Sequence, residues 1–460
     1  MIRRAKGGIR RADGTLRIGA GAGFAGDRVD PAVELIEKGD LDVLVFETLA
    51  ERTIALAQRR RRSNSGPGYD ELLPRRMRAV LGQAMRQRAL VVTNGGAADP
   101  RGAGLAVREV AEALGLGRCR VAVVTGDDVR DRLDLEACTD MDSGRPLAFY
   151  RDRIVSANAY LGASSLVAAL DAEPDVVVAG RTTDIALFLA PMIHAFGWSA
   201  ADLQTLASGS VVGHLLECAG QLTGGYFADG DRKKVPGLAR LGFPFADVAR
   251  DGTARFAKVE GSGGRLDRAT CLEQLLYEVE DPSSYLTPDV VVDFRSVAIA
   301  ETGKDRLHVS GAAGRPAPDT LKVSVGLDGG FVAAGAISYA GPSCLRRARL
   351  AAEVIGERWA EIHRRDPAKL RFGLIGLNSC TPWQGLDSDE PAEPPEIRLR
   401  VALQSMDRNE AAALAQEVEA LYTNGPFGGG GVETSVRETV SIVSTLIPRD
   451  MVEPRVEVLE

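Results

Sequence analysis

The sequence predicts an α/β protein with a doubly wound, mainly parallel sheet over residues 1–227 and an α+β domain over residues 228–460. In the first part, five short apolar runs alternate with segments of helical periodicity, and right-handed crossovers would order these strands into one sheet. In the second part, strand-like segments follow one another with turn residues between them, as in a mainly antiparallel sheet. The length of 460 residues favours two domains over one.

The strands predicted in the first part are short and end in polar or glycine-rich loops. They cover residues 16–20, 41–46, 90–93, 120–125 and 176–180. Helices are expected from residue 31 onward and over residues 49–58, 103–114 and 185–193. Because the carboxyl ends of the strands in an open α/β sheet face the ligand crevice, we expect the functional site in the loops that follow them.

The second part is predicted as strands broken by two helices. The strands cover residues 290–299, 306–310, 320–326, 332–339, 372–377, 397–403 and 436–446, and the helices cover residues 344–364 and 410–422. We see no internal repeat between the two parts.

Composition narrows the classes of partner. The net charge of −7 argues against nucleic acid, and the basic run at residues 59–62 beside turn-forming residues is typical of a solvated helix end. No apolar stretch reaches the roughly 20 residues of a membrane-spanning helix. Six scattered cysteines without a CxxC pair, and no apolar leader at the start, predict a cytoplasmic protein. We expect a small-molecule substrate and a homo-oligomer.

Three carboxylates follow predicted strands and are candidates for proton transfer. Asp27 comes after the first strand, Glu47 directly after the second, and Asp184 after the strand at residues 176–180. A carboxylate at a strand end can act as a general acid or base in the crevice. Asp184 also precedes an apolar helical segment, so an alternative role is to cap that helix.

His214 and Glu217 are three residues apart and share one face of a predicted helix. Such a pair could shuttle protons, or bind a metal with further ligands. A surface helix without function also explains the spacing. We predict a catalytic pair and no metal. The glycine loop at residues 19–26 does not fit the spacing of a dinucleotide-binding motif, so no cofactor is predicted.

Groups that could hold an anion lie in three loops. Arg181 and the backbone amides of Asn94, Gly95 and Gly96 follow predicted strands. A run of glycines near the end of the chain includes Gly428 and Gly429, whose amides could wrap an anion. An entropic hinge, or a bulge beside another chain, is an equally good account of the glycine run.

With these residues in view, the sequence resembles the AtuA family, named for acyclic terpene utilisation, over nearly the whole chain. The matching segments include GFAGDR at residues 23–28, FETLAERT at 46–53, VTNGG at 92–96, SANAYLG at 156–162, Gly180-Arg181 with Asp184, GHLLEC at 213–218 and GGYF at 224–227. The resemblance implies a metabolic setting in the catabolism of acyclic terpenes through acyl-CoA intermediates. It also adds Asn158 to the candidate substrate-binding residues and strengthens the case for His214 and Glu217.

These observations predict an enzyme that uses acid/base chemistry of the hydratase, lyase or hydrolase type on an acyl-CoA-like or carboxylate substrate. The alternative is a non-catalytic ligand-binding or accessory subunit that acts with acyl-CoA enzymes.

Overall fold

The computed structural model describes residues 13–380 and 394–460. Two expectations from composition, a loose start over residues 1–14 and a surface loop over residues 388–395, lie mostly outside these residues. All six cysteines are free thiols. No helix of the described residues is long and apolar enough to cross a membrane.

The described chain forms two compact units. The first contains the residues up to Gly326 together with Ile442–Glu460, and the second is Leu327–Ser441. The predicted domain boundary after residue 227 lies inside the first unit, because strands that follow it join the large sheet of that unit.

The described residues contain strands with the following bounds: β1 Leu16–Ala22, β2 Val43–Phe46, β3 Leu90–Thr93, β4 Val121–Thr125, β5 Ile154–Ala159, β6 Val176–Ala179, β7 Pro244–Val248, β8 Ala254–Lys258, β9 Tyr285–Leu286, β10 Val291–Asp293, β11 Ala298–Gly303, β12 Arg306–Ser310, β13 Ala313–Arg315, β14 Thr320–Ala340, β15 Arg371–Ile375, β16 Glu396–Ser405, β17 Gly430–Pro448 and β18 Arg455–Leu459. The helices are α1 Asp30–Lys38, α2 Glu51–Arg62, α3 Leu73–Gln87, α4 Pro100–Ala113, α5 Ala163–Leu170, α6 Ala186–Phe196, α7 Leu203–Glu217, α8 Arg268–Leu276, α9 Cys344–Glu361 and α10 Arg408–Asn424.

A ten-stranded mixed sheet forms the core of the first unit, in the order β11-β12-β8-β7-β1-β2-β3-β6-β4-β18. The five central strands run parallel and are the five predicted from the first part of the sequence: β1, β2, β3, β6 and β4. Strands β7, β8, β12 and β11 extend the β1 edge antiparallel, and β18 covers β4. The predicted mixed α/β class is therefore confirmed, with one sheet that holds strands from both parts of the chain.

Helix α7 is buried along nearly its whole length, from Thr205 to Leu216. A helix that is apolar on all sides is stable only inside a protein. Two glycines allow neighbours to approach closely: a Cβ atom on Gly209 would lie 2.7 Å from the Trp198 ring, and one on Gly213 would lie 3.0 Å from Ile185 Cγ2. The helix thereby carries His214 into the core.

The second unit has its own sheet, in the order β15-β16-β14-β17, and its own core with helices α9 and α10. Tyr339, Trp359, Leu399 and Leu414 are among its buried side chains. The two strands predicted at residues 320–326 and 332–339 are one continuous strand, β14, which passes through Gly330 at a positive φ of 71° and pairs with β16 from Phe331 onward.

Candidate active site

A cavity of about 750 Å³ opens at the carboxyl ends of the parallel strands β1, β2 and β6. The sequence places an acidic residue in each of the loops that meet there, and the end of α7 contributes another. The cavity is lined by Asp27 after β1, Glu47 after β2, Asp184 after β6 and Glu217 at the end of α7. Four of the five predicted catalytic residues therefore share one cavity.

Glu47 is held rigidly and is only 7% exposed. Its Oε1 accepts hydrogen bonds from the backbone N–H of Leu49 at 2.8 Å and from Asn94 Nδ2 at 2.9 Å. Asn94 is fixed in turn, because its Oδ1 accepts from the Thr48 N–H at 2.8 Å. Burial raises the pKa of Glu47 to about 7, although both hydrogen bonds and Arg181 oppose the shift. Glu47 is therefore suited to exchange protons near neutral pH.

Asp184 forms an ion pair with Arg181, whose Nη1 donates to Asp184 Oδ1 at 3.1 Å. The alternative role as a helix cap is wrong, because α6 has its N-cap at Ile185 and no side chain caps it. About 35% of the Asp184 side chain is open. This exposed part faces the cavity, because Asp184 is one of the residues that line it. Burial raises the pKa of Asp184 well above its usual range; Arg181 opposes this shift, and the nearby Glu47 and Glu217 add to it.

Arg181 is buried, and both of its Nη atoms lie near acceptor groups of the protein. Besides Asp184, its Nη1 donates to the Leu49 carbonyl, and its Nη2 lies 3.8 Å from Glu51 Oε1. The Tyr160 ring covers the guanidinium group at 4.1 Å. Arg181 thus compensates the carboxylates around it more than it offers an open anion site.

His214 lies behind Glu217, is 1% exposed and is absent from the cavity wall. Its Nε2 lies 3.1 Å from the Leu275 carbonyl oxygen, which can only accept, so Nε2 carries a proton. Its Nδ1 lies 2.8 Å from Glu217 Oε1. One proton is thus shared between His214 Nδ1 and Glu217. Burial works against the imidazolium form, but Glu217 raises the pKa of His214 above its ordinary value.

The surroundings of His214 exclude one of the alternatives for this pair, the surface helix without function. The ring centroids of Tyr285 and Phe294 each lie 5.4 Å from the His214 centroid. The surface-helix explanation is wrong, because α7 is a core helix. Across residues 13–380 and 394–460, no group of three or more His, Cys, Asp or Glu side chains is arranged to hold a metal ion.

Asp27 is fixed by its own loop. Its Oδ2 accepts from the Gly23 N–H at 2.9 Å, and burial raises its pKa. The loop packs tightly on the end of α7, since a Cβ atom on Gly23 would lie 2.4 Å from the backbone carbon of Cys218. The positions of Asp27 and Glu217 are therefore coupled through this contact.

The predicted anion-binding loop after β3 serves the protein instead. The Gly95 N–H donates to Thr93 Oγ1 at 2.9 Å and the Gly96 N–H donates to the Ala179 carbonyl at 3.1 Å. These two amides are therefore not free to bind an anion. Asn94 contributes to the site differently from the prediction, because it orients Glu47.

The remaining predicted substrate-binding residues lie at other places. Asn158 donates to Asp127 Oδ2 at 2.8 Å and lines a separate cavity of about 210 Å³. Gly428 and Gly429 belong to the second unit, where Gly428 approaches Arg347 and Gly429 approaches Ile337 and Tyr339. Their glycine character is explained by this close packing, together with the positive φ of 74° at Gly428.

Sequence reasoning missed three residues of the site. Glu51 lines the cavity and accepts a hydrogen bond from the Tyr160 hydroxyl, which in turn accepts from Ser324 Oγ at 3.1 Å. Glu51 and Tyr160 lie in segments 46–53 and 156–162, so their place in those motifs was the available signal. Glu278, also in the cavity wall, follows α8 and carries no such signal.

The fold and the site together define an α/β protein with a carboxyl-lined cavity at the carboxyl edge of its parallel strands. The chain belongs to the acyclic terpene utilisation family, AtuA, whose family model matches residues 16–458. This membership indicates a role in terpene catabolism. Neither the curated proteins nor the solved structures contain a significant match to the chain.

Proposed function

We propose that the protein is a cytoplasmic enzyme of acyl or carboxylate catabolism that works by acid/base chemistry of the hydratase, lyase or hydrolase type. Its setting would be the breakdown of acyclic terpenoid or branched acids, with an acyl-CoA-like or carboxylate substrate. The observation that supports this proposal is the presence of Glu47 and Asp184, two carboxyl groups of raised pKa, in the wall of one cavity. Strongly perturbed groups in a cleft are typical of catalytic sites.

The environments of the two groups suggest different roles. Asp184, whose pKa burial raises well above its usual range, is the group more inclined to keep a proton and would act as the acid. Glu47, with a pKa of about 7, would be partly ionised and act as the base. In a hydration, Glu47 would take a proton from water as the water oxygen adds to an unsaturated acyl group. Asp184 would then deliver its proton to the neighbouring carbon, and the reverse steps would eliminate water.

The other predicted residues would support these two. Glu217 faces the cavity and would contact the substrate, while His214 would act as a positioning residue that holds Glu217 and shares its proton. Asp27 would contact the substrate from the opposite loop. Arg181 would keep the cluster of carboxyl groups together by compensating their charge.

Two conservative substitutions test the proposal. Glu47→Gln and Asp184→Asn remove the titrating groups while keeping the shape, so both variants should fold normally and lose at least about 100-fold in kcat. The assay would follow gain or loss of water by mass spectrometry across branched 2-enoyl and 3-hydroxyacyl thioesters. Glu34→Gln, which changes a carboxylate on α1 paired with Lys38, is the matched control and should keep full activity.

Unchanged turnover in Asp184→Asn would remove Asp184 from the mechanism. If the protein binds these thioesters without converting them and co-purifies with an acyl-CoA enzyme, the accessory-subunit alternative gains support. A homo-oligomer stays a prediction, which light scattering of the purified protein would test.

A further inference from the structure

The wall of the cavity carries far more acidic than basic groups. Six carboxyl groups and two guanidinium groups line it, the carboxyl groups being those of Asp27, Glu47, Glu51, Asp184, Glu217 and Glu278. An anion bound in this cavity would be repelled by each of these carboxyl groups that is ionised, and this repulsion disfavours its binding. A bound carboxylate could avoid this cost only by taking up a proton.

Neither guanidinium group is available to balance such an anion. Arg181 is held by Asp184, Glu51 and the Leu49 carbonyl, and its side chain is 3% exposed. Arg28 is exposed at the mouth of the cavity, where its Nη1 donates to the Leu238 carbonyl at 3.3 Å. A solvated arginine contributes little to the affinity for an anion deeper in the site.

The mouth of the same cavity is apolar. Phe24 is 61% exposed, Tyr226 is 87% exposed and Leu238 is 40% exposed, and all three line it. Leu241 and Phe243 continue this apolar wall inward. Large apolar side chains that are exposed together around a concave site are typical of ligand contact.

From the carboxyl groups in the wall and the apolar side chains at the mouth, we infer that the site takes a substrate with an uncharged reacting group on an apolar chain. Such a group is a thioester, ester, amide or alcohol. The free carboxylate with the same chain binds with lower affinity. The inference rests on the proposed function. Of the two kinds of substrate proposed there, it favours the acyl derivative over the free acid.

The test compares octanamide with octanoate, which share a chain and differ in charge. Isothermal titration of the full-length protein at about pH 7.5 should show octanamide binding at least tenfold more tightly, a difference of about 1.4 kcal/mol. The affinity for octanoate should rise as the pH is lowered toward about 6, because its binding takes up a proton, while the affinity for octanamide should change little.

Two variants locate the effect in this cavity. Phe24→Ser should weaken octanamide binding about fivefold, because it removes apolar surface at the mouth. Glu51→Gln should narrow the ratio of the two affinities by at least about threefold, because it removes a carboxylate of the cavity wall that lies 3.8 Å from Arg181. Phe24 is exposed, and glutamine at position 51 keeps the oxygen that accepts from the Tyr160 hydroxyl, so both variants should fold as the parent does.

Octanoate binding as tightly as octanamide overturns the inference, as does failure of both compounds to bind or an affinity that Phe24→Ser leaves unchanged. Binding is measured without turnover, so these results are independent of the Glu47 and Asp184 activity assays. Loss of the proposed reaction with the amide preference retained would overturn the proposed function alone.

Discussion

At the scale of single residues, the site is a set of carboxyl groups whose protonation is set by burial and by each other. Glu47, Asp184 and Glu217 face one cavity, where burial and then the charge of Glu217 raise the pKa of Glu47, and burial and then the charges of Glu47 and Glu217 raise the pKa of Asp184. Arg181 limits this effect without removing it. Interacting carboxyl groups lose their protons in steps that belong to the cluster as a whole. One carboxyl group of the cluster can therefore keep its proton while another has already released its own.

The hydrogen bond between His214 and Glu217 should be measurable as a coupling energy. We expect His214→Asn and Glu217→Gln each to destabilise the protein, and the double variant to cost less than the sum by about 1–3 kcal/mol, because the two side chains share one proton. Chemical denaturation of the parent, both single variants and the double variant completes the cycle.

A positioning role for His214 makes a second demand on the same variants. His214→Asn should alter the pH profile of kcat as well as stability, because it changes the partner of a group that faces the substrate. Additive stabilities together with an unchanged pH profile would show that the pair is merely packed.

At the scale of elements, the site depends on how closely the loop after β1 packs on the end of α7. The backbone at Gly23 is so near Cys218 that a Cβ atom would lie 2.4 Å from its carbonyl carbon and 2.6 Å from its Cα. Neither backbone can move without displacing Asp27 on one side or Glu217 on the other. A larger residue at this position would therefore displace the backbone on at least one of the two sides.

Gly23→Ala should therefore destabilise the protein by about 1–3 kcal/mol and reduce kcat, because the clash is with backbone and not with the end of a flexible side chain. The matched control is Gly82→Ala in α3, where a Cβ atom has no neighbour closer than 3.6 Å. This control should stabilise the protein by about 0.5–1 kcal/mol through the higher helix propensity of alanine. A Gly23→Ala variant with parental stability and activity would contradict the packing argument.

At the scale of the whole molecule, buried carboxyl groups should make stability fall as the pH rises. Burial raises the pKa of Glu47 to about 7 and those of Asp127 and Asp289 to about 6. Each group is protonated in the folded state at pH values where it is ionised in the unfolded chain. The folded state therefore binds more protons, and the stabilisation is full below the unfolded pKa and is lost as the pH rises through the folded one.

We accordingly expect the free energy of unfolding to decrease between about pH 4 and about pH 7, by up to about 3 kcal/mol per group. Glu47→Gln should flatten this dependence of stability on pH, because glutamine does not ionise. The variant should still fold, since the glutamine carbonyl oxygen can accept both hydrogen bonds that Glu47 accepts on Oε1. Denaturation curves at several pH values would measure it, with Glu34→Gln as the control of unchanged slope. Stability that increases with pH over this range would contradict the prediction.

The sequence by itself determined the parallel strands and the edge of the sheet at which the candidate site lies. The apolar runs at residues 16–20, 90–93 and 176–180 have few ways to be buried other than as central strands, and the polar residues after them must then meet at one edge of the sheet. Asp27, Glu47 and Asp184 were predictable for this reason. The AtuA segments were equally readable, because they are contiguous in the chain.

Only the tertiary structure decided which neighbours each of these elements and side chains has. It showed that β7, β8, β11 and β12 join the first sheet, because antiparallel pairing at an edge leaves no periodic signal of its partner. It also showed that Asn94, a candidate for anion binding, donates a hydrogen bond to Glu47 and orients it. His214 lies behind Glu217. Hydrogen-bond partners and burial depend on residues far apart in the chain, and these contacts set the pKa values on which the proposed chemistry rests.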